Sequence, residues 1–350
     1  MVKGIILTFL LGLFVSTYAD NLENYKEVSD KFFNEQIQML SKGSLAQKIA
    51  AIEKLKRAKT RRALRPLILV LRGVSLNGGE PTKDLTIPLK GGENTEDKLV
   101  NLELGEHNDP ALKFLASQAI AELYHEAGMK PMVDVFKQME AKIKEDDKIF
   151  SYTNKFEQVN FVNAAAEILR SIGTLIDNLE NLEEGKNEVL KANRIAIELG
   201  LETLKSALSH KHYYIRAGAA DGLKNAHRKE SLEILDAAVA NEKDEYVKAA
   251  ILSAIVILQP QNSQRMLELV QLLKSESPLV RMRTSQGLGE TGVFVAETYL
   301  RQALQYEDSS AVRQQLKEDI IKITSYRLPT APTSAFGSEE VPKDTRKQTK

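Results

Sequence analysis

The sequence predicts an all-α fold, an α-α superhelix built from stacked pairs of antiparallel helices, with a small inserted loop or β-hairpin. Composition is the first observation behind this prediction. Among 350 residues there is no tryptophan and only 6% are aromatic, while the helix-favouring residues Leu, Ala, Glu and Lys are abundant. The second observation is an internal repeat. Related segments place a basic residue at Arg216, Lys248, Arg281 and Arg313, which are 32, 33 and 32 residues apart, and a fixed period of this length is typical of helical repeat proteins.

The N-terminal segment, residues 1–19, has the pattern of a secretory signal peptide. MVK is a short positively charged start, GIILTFLLGLFV is an apolar run of twelve residues, and STYA ends in small residues. We therefore expect cleavage between Ala19 and Asp20. The apolar run is shorter than the ~20 residues that a membrane span needs. Because the chain also lacks cysteine and the N-x-S/T pattern, we expect an exported bacterial protein, periplasmic or extracellular, with no transmembrane segment after cleavage.

Three further segments flank or interrupt the repeats. Residues 20–43 predict a terminal cap helix, because apolar residues recur in them near helical spacing. Residues 44–325 predict the repeat region, with an insertion at 74–108 where the helical period is lost and two glycine pairs bracket LTIPL. Insertions in repeat proteins often lie on the binding side, so this one is a candidate for function and equally for a tolerated surface elaboration. Residues 326–350, rich in Pro, Thr, Ser and Lys, predict a disordered tail.

Each repeat begins with a first helix that carries one basic position. Around that position, the residues one before, three after and seven after are mostly apolar or small, and these offsets lie on one face of a helix. The residue four before it is a good N-cap in five copies, at Ser44, Asp109, Asp244, Ser277 and Ser309, and the exceptions are His212 and Gln158. One copy has Val162 at the basic position. We therefore assign a structural role in the repeat to six cations, Lys48, Lys113, Arg216, Lys248, Arg281 and Arg313.

A second apolar segment with helical spacing follows each first helix. These segments are LRPLILVL, PMVDVFKQM, SLEILDAAV, MLELVQLL and AETYLRQAL. A helix, a turn and an antiparallel helix in about 32 residues cannot bury their own apolar faces, so the pairs must stack on one another.

The stretch GLGETG, residues 287–292, matches the dinucleotide-binding pattern G-x-G-x-x-G. That pattern binds a pyrophosphate only when a strand leads into the first glycine and a helix begins at the last. The preceding residues instead have helical spacing after Ser277 and Pro278. We therefore interpret Gly287, in the same column as Gly222, as a small residue that allows close helix packing. Gly292, in the same column as Gly173, is interpreted as a glycine that turns the chain after a helix.

The sequence contains no motif for catalysis, a cofactor or a metal. There is no cysteine, no Walker loop and no H-E-x-x-H, and the five histidines do not have the spacing of a zinc site. His212 falls in the N-cap column, which favours a structural role. Lys plus Arg equals Asp plus Glu, 48 each, so no global charge directs the protein to nucleic acid. We expect no catalytic residue, no cofactor, no metal and no nucleic-acid partner.

The segment KLKRAKTRRALR, residues 54–65, is a local cluster of positive charge. It is a candidate contact for an acidic partner, a lipid headgroup or another polyanion. The alternative is a solvated turn whose cations lie favourably near the C-terminus of a helix. The cations are Lys54, Lys56, Arg57, Lys59, Arg61, Arg62 and Arg65.

The pattern D/S-P-x-[VI]-[RK]-x-x-A-x-x-x-L, clearest in DPALKFLASQAI and SPLVRMRTSQGL, resembles the HEAT-repeat family, including the short variant found in phycobilisome lyases. The resemblance implies a solenoid with an extended binding surface. The sequence therefore predicts an exported, non-enzymatic scaffold of the bacterial envelope that binds another, exported or envelope-associated protein. The alternatives are a bilin-lyase-type enzyme, or a binder of polyanions or lipid surfaces through residues 54–65.

Overall fold

The computed structural model describes residues 28–73, 109–147, 159–181 and 187–325. The predicted signal segment with its Ala19–Asp20 junction, the insertion at 74–108 and the tail at 326–350 lie outside the described residues.

Fourteen α-helices occupy the described part of the chain, and no strand occurs in it. The helices are α1 (Asp30–Lys42), α2 (Leu45–Ala58), α3 (Leu64–Arg72), α4 (Pro110–Ala121), α5 (Met129–Glu140), α6 (Phe161–Glu180), α7 (Asn187–Ala207), α8 (Tyr213–Asn225), α9 (Lys229–Val239), α10 (Glu245–Leu258), α11 (Ser263–Gln271), α12 (Pro278–Glu290), α13 (Phe294–Tyr306) and α14 (Ser310–Ser325). The first helices of the repeats are the even-numbered ones, and the odd-numbered helices from α3 onward are the second helices. The predicted all-α class is confirmed.

The chain divides into two compact units, Met1–Met266 and Leu267–Lys350. In the first unit the first helices α2, α4, α6, α8 and α10 pack side by side in chain order, and the second helices α3, α5 and α7 pack in the same order. In the second unit α12 packs against α14, and α13 contacts both. Stacking of like helix on like helix is how repeats bury the apolar faces that a single pair cannot cover.

The residues of the N-cap column lie directly before the first helices, as the sequence predicts. The Ser44 hydroxyl accepts from the Gln47 amide, and the Gln47 side chain returns a bond to the Ser44 amide. Asp109 and Asp244 each accept from two amides of the first turn that follows them. Ser277 occupies the cap position before Pro278, but its side chain makes no cap bond. Such caps satisfy amides that the helix itself leaves unpaired.

The apolar columns form the core. The residue seven after the basic position is buried in every copy, and the residue one before it is buried in five of the copies. These are the two columns with the strongest apolar pattern in the sequence. The position of the buried stripe on each first helix was therefore predicted correctly.

For the glycine columns, two predictions are confirmed and one is wrong. Gly222 does allow close helix packing, since an added Cβ would meet backbone atoms of Leu169 in α6. Gly292, which follows the C-cap residue Thr291 of α12, has φ 66°, the left-handed conformation that suits glycine at a helix end. The prediction that Gly173 ends a helix is wrong, because α6 continues to Glu180. Gly173 is instead the point where α6 lies against the Gly222 carbonyl of α8.

The dinucleotide-binding interpretation of GLGETG is excluded by the secondary structure. Helix α12 runs through Gly287 and Gly289 to Glu290, so a helix and not a strand leads into the first glycine. Gly289 also has a packing role, because its Cα faces the Asp319 side chain of α14.

Candidate functional site

The cationic cluster of residues 54–65 lies at the turn between α2 and α3. Four of its side chains are exposed and three are half-buried. Lys56 pairs with Glu122 at 3.0 Å, and the Lys59 ammonium lies 5.6 Å from the Tyr124 ring centre. The exposed residues are Lys54, Arg57, Arg61 and Arg62; the half-buried ones are Lys56, Lys59 and Arg65.

Neighbouring acids offset part of this positive charge. Arg62 bonds Asp30 of α1 at 2.7 Å and lies over the Phe33 ring. Burial raises the pKa of Glu126, but the hydrogen bond and charge of His125, together with the charge of Arg61, hold that pKa below its ordinary value. Two cations of the turn, Lys56 and Arg62, therefore form ion pairs with acids of neighbouring elements. Contact with an anionic partner stays a prediction, carried mainly by the exposed Lys54 and Arg57.

A buried polar network that sequence reasoning missed crosses three first helices. The Gln118 amide of α4 donates to Glu167 of α6 at 2.7 Å, and Arg170 of α6 donates to Glu167 at 3.3 Å and to Asp221 of α8 at 3.0 Å. Glu167 and Asp221 are buried, so these bonds have little competition from water. The Arg170 guanidinium also lies 5.6 Å from the Tyr214 ring centre.

A signal for this network was present in the sequence. The residue five after the basic position is polar in every copy: Glu53, Gln118, Glu167, Asp221, Ser253, Gln286 and Glu318. In the second unit the same column bonds from helix to helix, since Gln286 donates to Gln315 at 3.1 Å. Four members of this column, Gln118, Glu167, Asp221 and Gln286, thus bond to an adjacent first helix, whereas the Ser253 hydroxyl donates within its own helix.

Two of the six predicted structural cations form identical clamps. The Arg216 guanidinium binds both oxygens of Glu242, at 2.8 and 3.1 Å, and its Nη1 donates to the carbonyls of His210 and Lys211. Arg281 binds both oxygens of Glu307, at 2.8 and 2.7 Å, and donates to the carbonyls of Ser275 and Glu276. Both glutamates lie 26 residues after their arginine, and both accept a backbone amide of the following turn. Each clamp ties two consecutive turns together.

Replacing Arg281 by methionine should lower the free energy of unfolding by about 3 kcal/mol at pH 7, because the nearly buried Glu307 carboxylate would lose its bidentate partner. The hydrogen bond from Arg281 holds the pKa of Glu307 below its ordinary value. The contribution of the clamp is therefore present above the carboxyl range of the unfolded chain and is lost as pH falls through the lowered pKa.

Urea unfolding at pH 7 and at pH 3 would measure this effect. Arg313→Met is the matched control, since Arg313 occupies the same column but is exposed, and we expect it to change stability by less than about 0.5 kcal/mol. Equal losses in the two variants would contradict the role of the clamp.

Lys113 occupies the same column without such a clamp, because the residue 26 positions later is Met139. Its side chain is fully buried and its ammonium donates to the Leu71 carbonyl, near the end of α3, at 2.6 Å. The pKa of Lys113 is lowered to about 8, mainly by burial and also by the charge of Lys142, while the charge of Asp109 opposes both. The other column members, Lys48 and Lys248, are half-buried.

Three of the four described histidines form hydrogen bonds with the backbone, and the fourth, His227, is exposed with its Nδ1 3.4 Å from Asp177. In the described part of the chain, no group of three or more His, Asp or Glu is arranged to hold a metal. The His212 Nδ1 accepts from the Tyr214 amide at 3.1 Å and thereby caps α8, which confirms the structural role expected for this residue. His125 and His210 likewise accept, through Nδ1, the amide two residues ahead. His107 lies outside the described residues.

No helix among the described residues combines the length and the apolar character that crossing a bilayer requires.

Comparison with known proteins gives few matches. The sequence matches no protein-family model and no curated protein. Among solved structures, it is similar to a chain of the complex of CpcE and CpcF of phycocyanin lyase from Nostoc sp. PCC7120, with 12% identity, a TM-score of 0.42, and coverage of 86% of this chain and 96% of that one. It is also similar to human deoxyhypusine hydroxylase, with 13% identity, a TM-score of 0.29, and coverage of 83% and 96%.

These comparisons correct one prediction from the sequence. Both matched chains belong to an enzyme, a lyase and a hydroxylase, so the expectation of a protein without enzymatic activity is overturned and is not carried further. The predicted helical-repeat architecture is confirmed, because the structure shows the stacked helix pairs directly.

Proposed function

We propose that this helical-repeat protein works by binding another protein through the exposed apolar surface of its second unit. Among the described residues, eight large apolar side chains are exposed, and six of them lie between Leu267 and Ile321. Apolar side chains concentrated in one part of a surface are a common mark of a protein-binding site. This concentration is the observation that carries the proposal.

Three of these side chains lie near one end of the α13–α14 hairpin. Phe294 and Val295 are in the first turn of α13 and are 65% and 50% exposed, and Ile321 near the end of α14 is 64% exposed. The two helices are joined by three residues centred on Asp308. Val295 lies thirteen residues before that centre and Ile321 thirteen after it, so in an antiparallel pair they lie at the same level.

Ile321 also occupies a position that three other repeats bury, whereas Lys56, Arg170 and Lys224 are half-buried there. It lies eight residues after the basic position, where Ala121 and Val256 are buried, and Gly289 faces the next first helix. In α14 the Ile321 side chain is instead exposed. We therefore expect the partner to present an apolar helical face at this end of the second unit.

A comparison of variants tests this surface. Phe294→Ser, Val295→Ser and Ile321→Ser would be combined in one chain, and the control would carry Val189→Ser and Ile195→Ser, two exposed apolar residues of α7 in the first unit. In affinity capture from the source cells, we expect wild type and control to retain the same amount of the partner. The triple variant should retain at least tenfold less of it. Equal recovery by all three proteins, each with an unchanged melting temperature, would contradict the proposal.

We also propose that the chain is exported, and that its partner is exported or associated with the envelope. The support is the signal pattern of residues 1–19. N-terminal sequencing of the protein from cell fractions tests it. A periplasmic or secreted form that begins at Asp20 is the expected result, whereas an intact N-terminus on a cytoplasmic protein would contradict it.

A bilin-lyase-type enzyme is the second candidate. Its support is the resemblance of DPALKFLASQAI and SPLVRMRTSQGL to the short repeats of phycobilisome lyases. The purified protein would be mixed with a linear tetrapyrrole, and absorbance would be followed. A tetrapyrrole that elutes with the protein on gel filtration and has a shifted absorbance spectrum would support the lyase. An unchanged spectrum would contradict it.

A further inference from the structure

One stripe of residues on a first helix contacts the first helix that precedes it. Positions two, six and nine after the basic residue form this stripe, and in α8 they are Gly218, Gly222 and Asn225. A Cβ added at Gly218 would lie 2.9 Å from the Ala166 Cβ of α6, and one added at Gly222 would meet the backbone of the same helix. The Asn225 side chain donates to the Arg170 carbonyl of α6 at 3.3 Å. Successive first helices therefore meet along this stripe.

Positions two and six of the stripe are buried in four of the five first helices of the first unit. None of the residues at these positions is charged, so the stripe packs against its neighbour without burying a charge. They are Leu115 and Ala119 in α4, Ala164 and Ile168 in α6, Gly218 and Gly222 in α8, and Ala250 and Ala254 in α10.

Helix α2 presents the same stripe to solvent. Ala50 and Lys54 occupy positions two and six, Arg57 occupies position nine, and all three side chains are exposed. Helix α1 packs against α2 but leaves this stripe uncovered. The surface through which the other first helices of the first unit contact a preceding helix is therefore open in α2.

The exposed stripe of α2 also carries positive charge that no described acid offsets. Among the described residues, Lys54 and Arg57 form no ion pair, and Asp30 of the adjacent helix α1 is bound by Arg62 at 2.7 Å. Covering a cation with protein is costly unless an opposite charge meets it. A helix that packs along this stripe must therefore bring carboxylates of its own.

We propose that the exposed stripe of α2, formed by Ala50, Lys54 and Arg57, is the docking site for an acidic helix of a partner protein. The partner helix lies along α2 as a preceding first helix would. It places a small or apolar side chain against Ala50 and carboxylates against Lys54 and Arg57, and these three contacts lie on successive turns over about 10 Å. The site belongs to the first unit and does not involve the apolar side chains of the second.

Ala50 is the feature that distinguishes a helix from other anionic ligands. A lipid headgroup or an extended polyanion would use only the two cations. A helix also needs a small residue where the two backbones approach, and Ala50 provides one at the position that Gly218 and Ala250 occupy in α8 and α10. A larger side chain at Ala50 therefore weakens the binding of a helix and leaves the binding of a lipid surface unchanged.

A synthetic peptide is the probe for this site. It has about 18 residues, mostly alanine, with glutamates one turn apart on one face, so that it forms a helix with one acidic side. The control peptide has glutamine in place of each glutamate. In calorimetric titration of the full-length protein, we expect the acidic peptide to bind and its affinity to fall as salt is added. The glutamine peptide should not bind.

Variants of the protein locate the binding. Lys54→Gln with Arg57→Gln should lower the affinity for the acidic peptide at least tenfold, and Ala50→Gln should lower it at least threefold. The matched control is Lys191→Gln with Arg194→Gln, which removes two exposed cations of the same spacing on α7 and should leave the affinity unchanged. All these side chains are exposed, so the melting temperature should be the same in every variant.

Three results would overturn the docking site. The first is no binding of the acidic peptide to wild type at ~1 mM, and the second is equal binding to wild type and to the Lys54/Arg57 double variant. The third is an affinity that Ala50→Gln leaves unchanged, which would assign the contact to charge alone. Vesicles of phosphatidylglycerol serve as a parallel probe. Vesicle binding that depends on Lys54 and Arg57, without binding of the peptide, would assign the stripe to an anionic lipid surface instead.

Discussion

Replacing Lys113 by methionine should stabilise the protein at pH 7 by about 2 kcal/mol. The Lys113 ammonium is fully buried, and the lowering of its pKa from 10.5 to about 8 corresponds to a cost of about 3 kcal/mol for keeping the charge in the folded state. Methionine has a similar length, fills the same space and carries no charge. The Leu71 carbonyl loses one hydrogen bond, which offsets the gain by about 1 kcal/mol.

The stability of the wild type should also depend on pH through Lys113. Between pH 8 and pH 10.5 the unfolded chain binds the Lys113 proton and the folded chain has released it, so the free energy of unfolding rises with pH. In Lys113→Met that rise should be absent. The difference between the two proteins in urea unfolding, measured at several pH values across this range, isolates Lys113 because the tyrosines titrate in both.

Lys248→Met is the matched control for this experiment. Lys248 lies in the same column of the repeat but is only half-buried, so its replacement should leave stability nearly unchanged. The opposite result would be a free energy of unfolding lower by more than about 2 kcal/mol in Lys113→Met at pH 7, together with a free energy of unfolding that still rises above pH 8. That result would show that the buried charge stabilises the fold.

Gly173→Ala should destabilise the first unit by about 3–4 kcal/mol. An added Cβ at this position would overlap the Gly222 carbonyl in the neighbouring helix α8, and backbone cannot move aside as a flexible side chain can. The two helices would have to separate along a well-packed interface. This cost exceeds the ~1 kcal/mol that alanine gains over glycine in a helix.

Gly200→Ala is the control for Gly173→Ala. The atoms nearest to a Cβ at Gly200 are the end of the Ile176 side chain, at 2.9 Å, and the end of Met129, both of which can adjust. We expect that variant to change stability by less than about 1 kcal/mol in thermal unfolding followed by circular dichroism. Similar melting temperatures for the two variants would contradict the close packing of α6 on α8.

The sequence predicted those features that each repeat encodes locally. The N-caps, the buried stripe and the second helices all follow from patterns within about 32 residues, and they recur often enough for one copy to support another. The error at Gly173 has a local cause. The period of the other repeats led us to end the helix there, but Leu175, Ile176 and Leu179 continue the apolar spacing and are buried in the longer α6.

The contacts between repeats could be predicted only in part. The polar column and the clamps had signals in the sequence, since the polar position recurs and Glu242 and Glu307 lie at the same offset from an arginine. Which partners actually meet depends on how far each helix is shifted along its neighbour. The hydrogen bond between the His212 Nε2 and the Asp147 carbonyl oxygen, 2.8 Å long, had no signal in the sequence, because Asp147 lies in an irregular segment outside the repeat pattern.

Packing of first helix on first helix is the central claim, and one disulfide tests it directly. The hydroxyls of Ser117 in α4 and Ser171 in α6 lie 3.2 Å apart in the core, and the chain contains no cysteine. In Ser117→Cys/Ser171→Cys, mild oxidation should form an intramolecular disulfide in most molecules, seen as a linked peptide pair by mass spectrometry, while Ser117→Cys/Ser253→Cys should form none. Failure of the first pair to close, or equal closure of both, would contradict the stacked arrangement of the repeats.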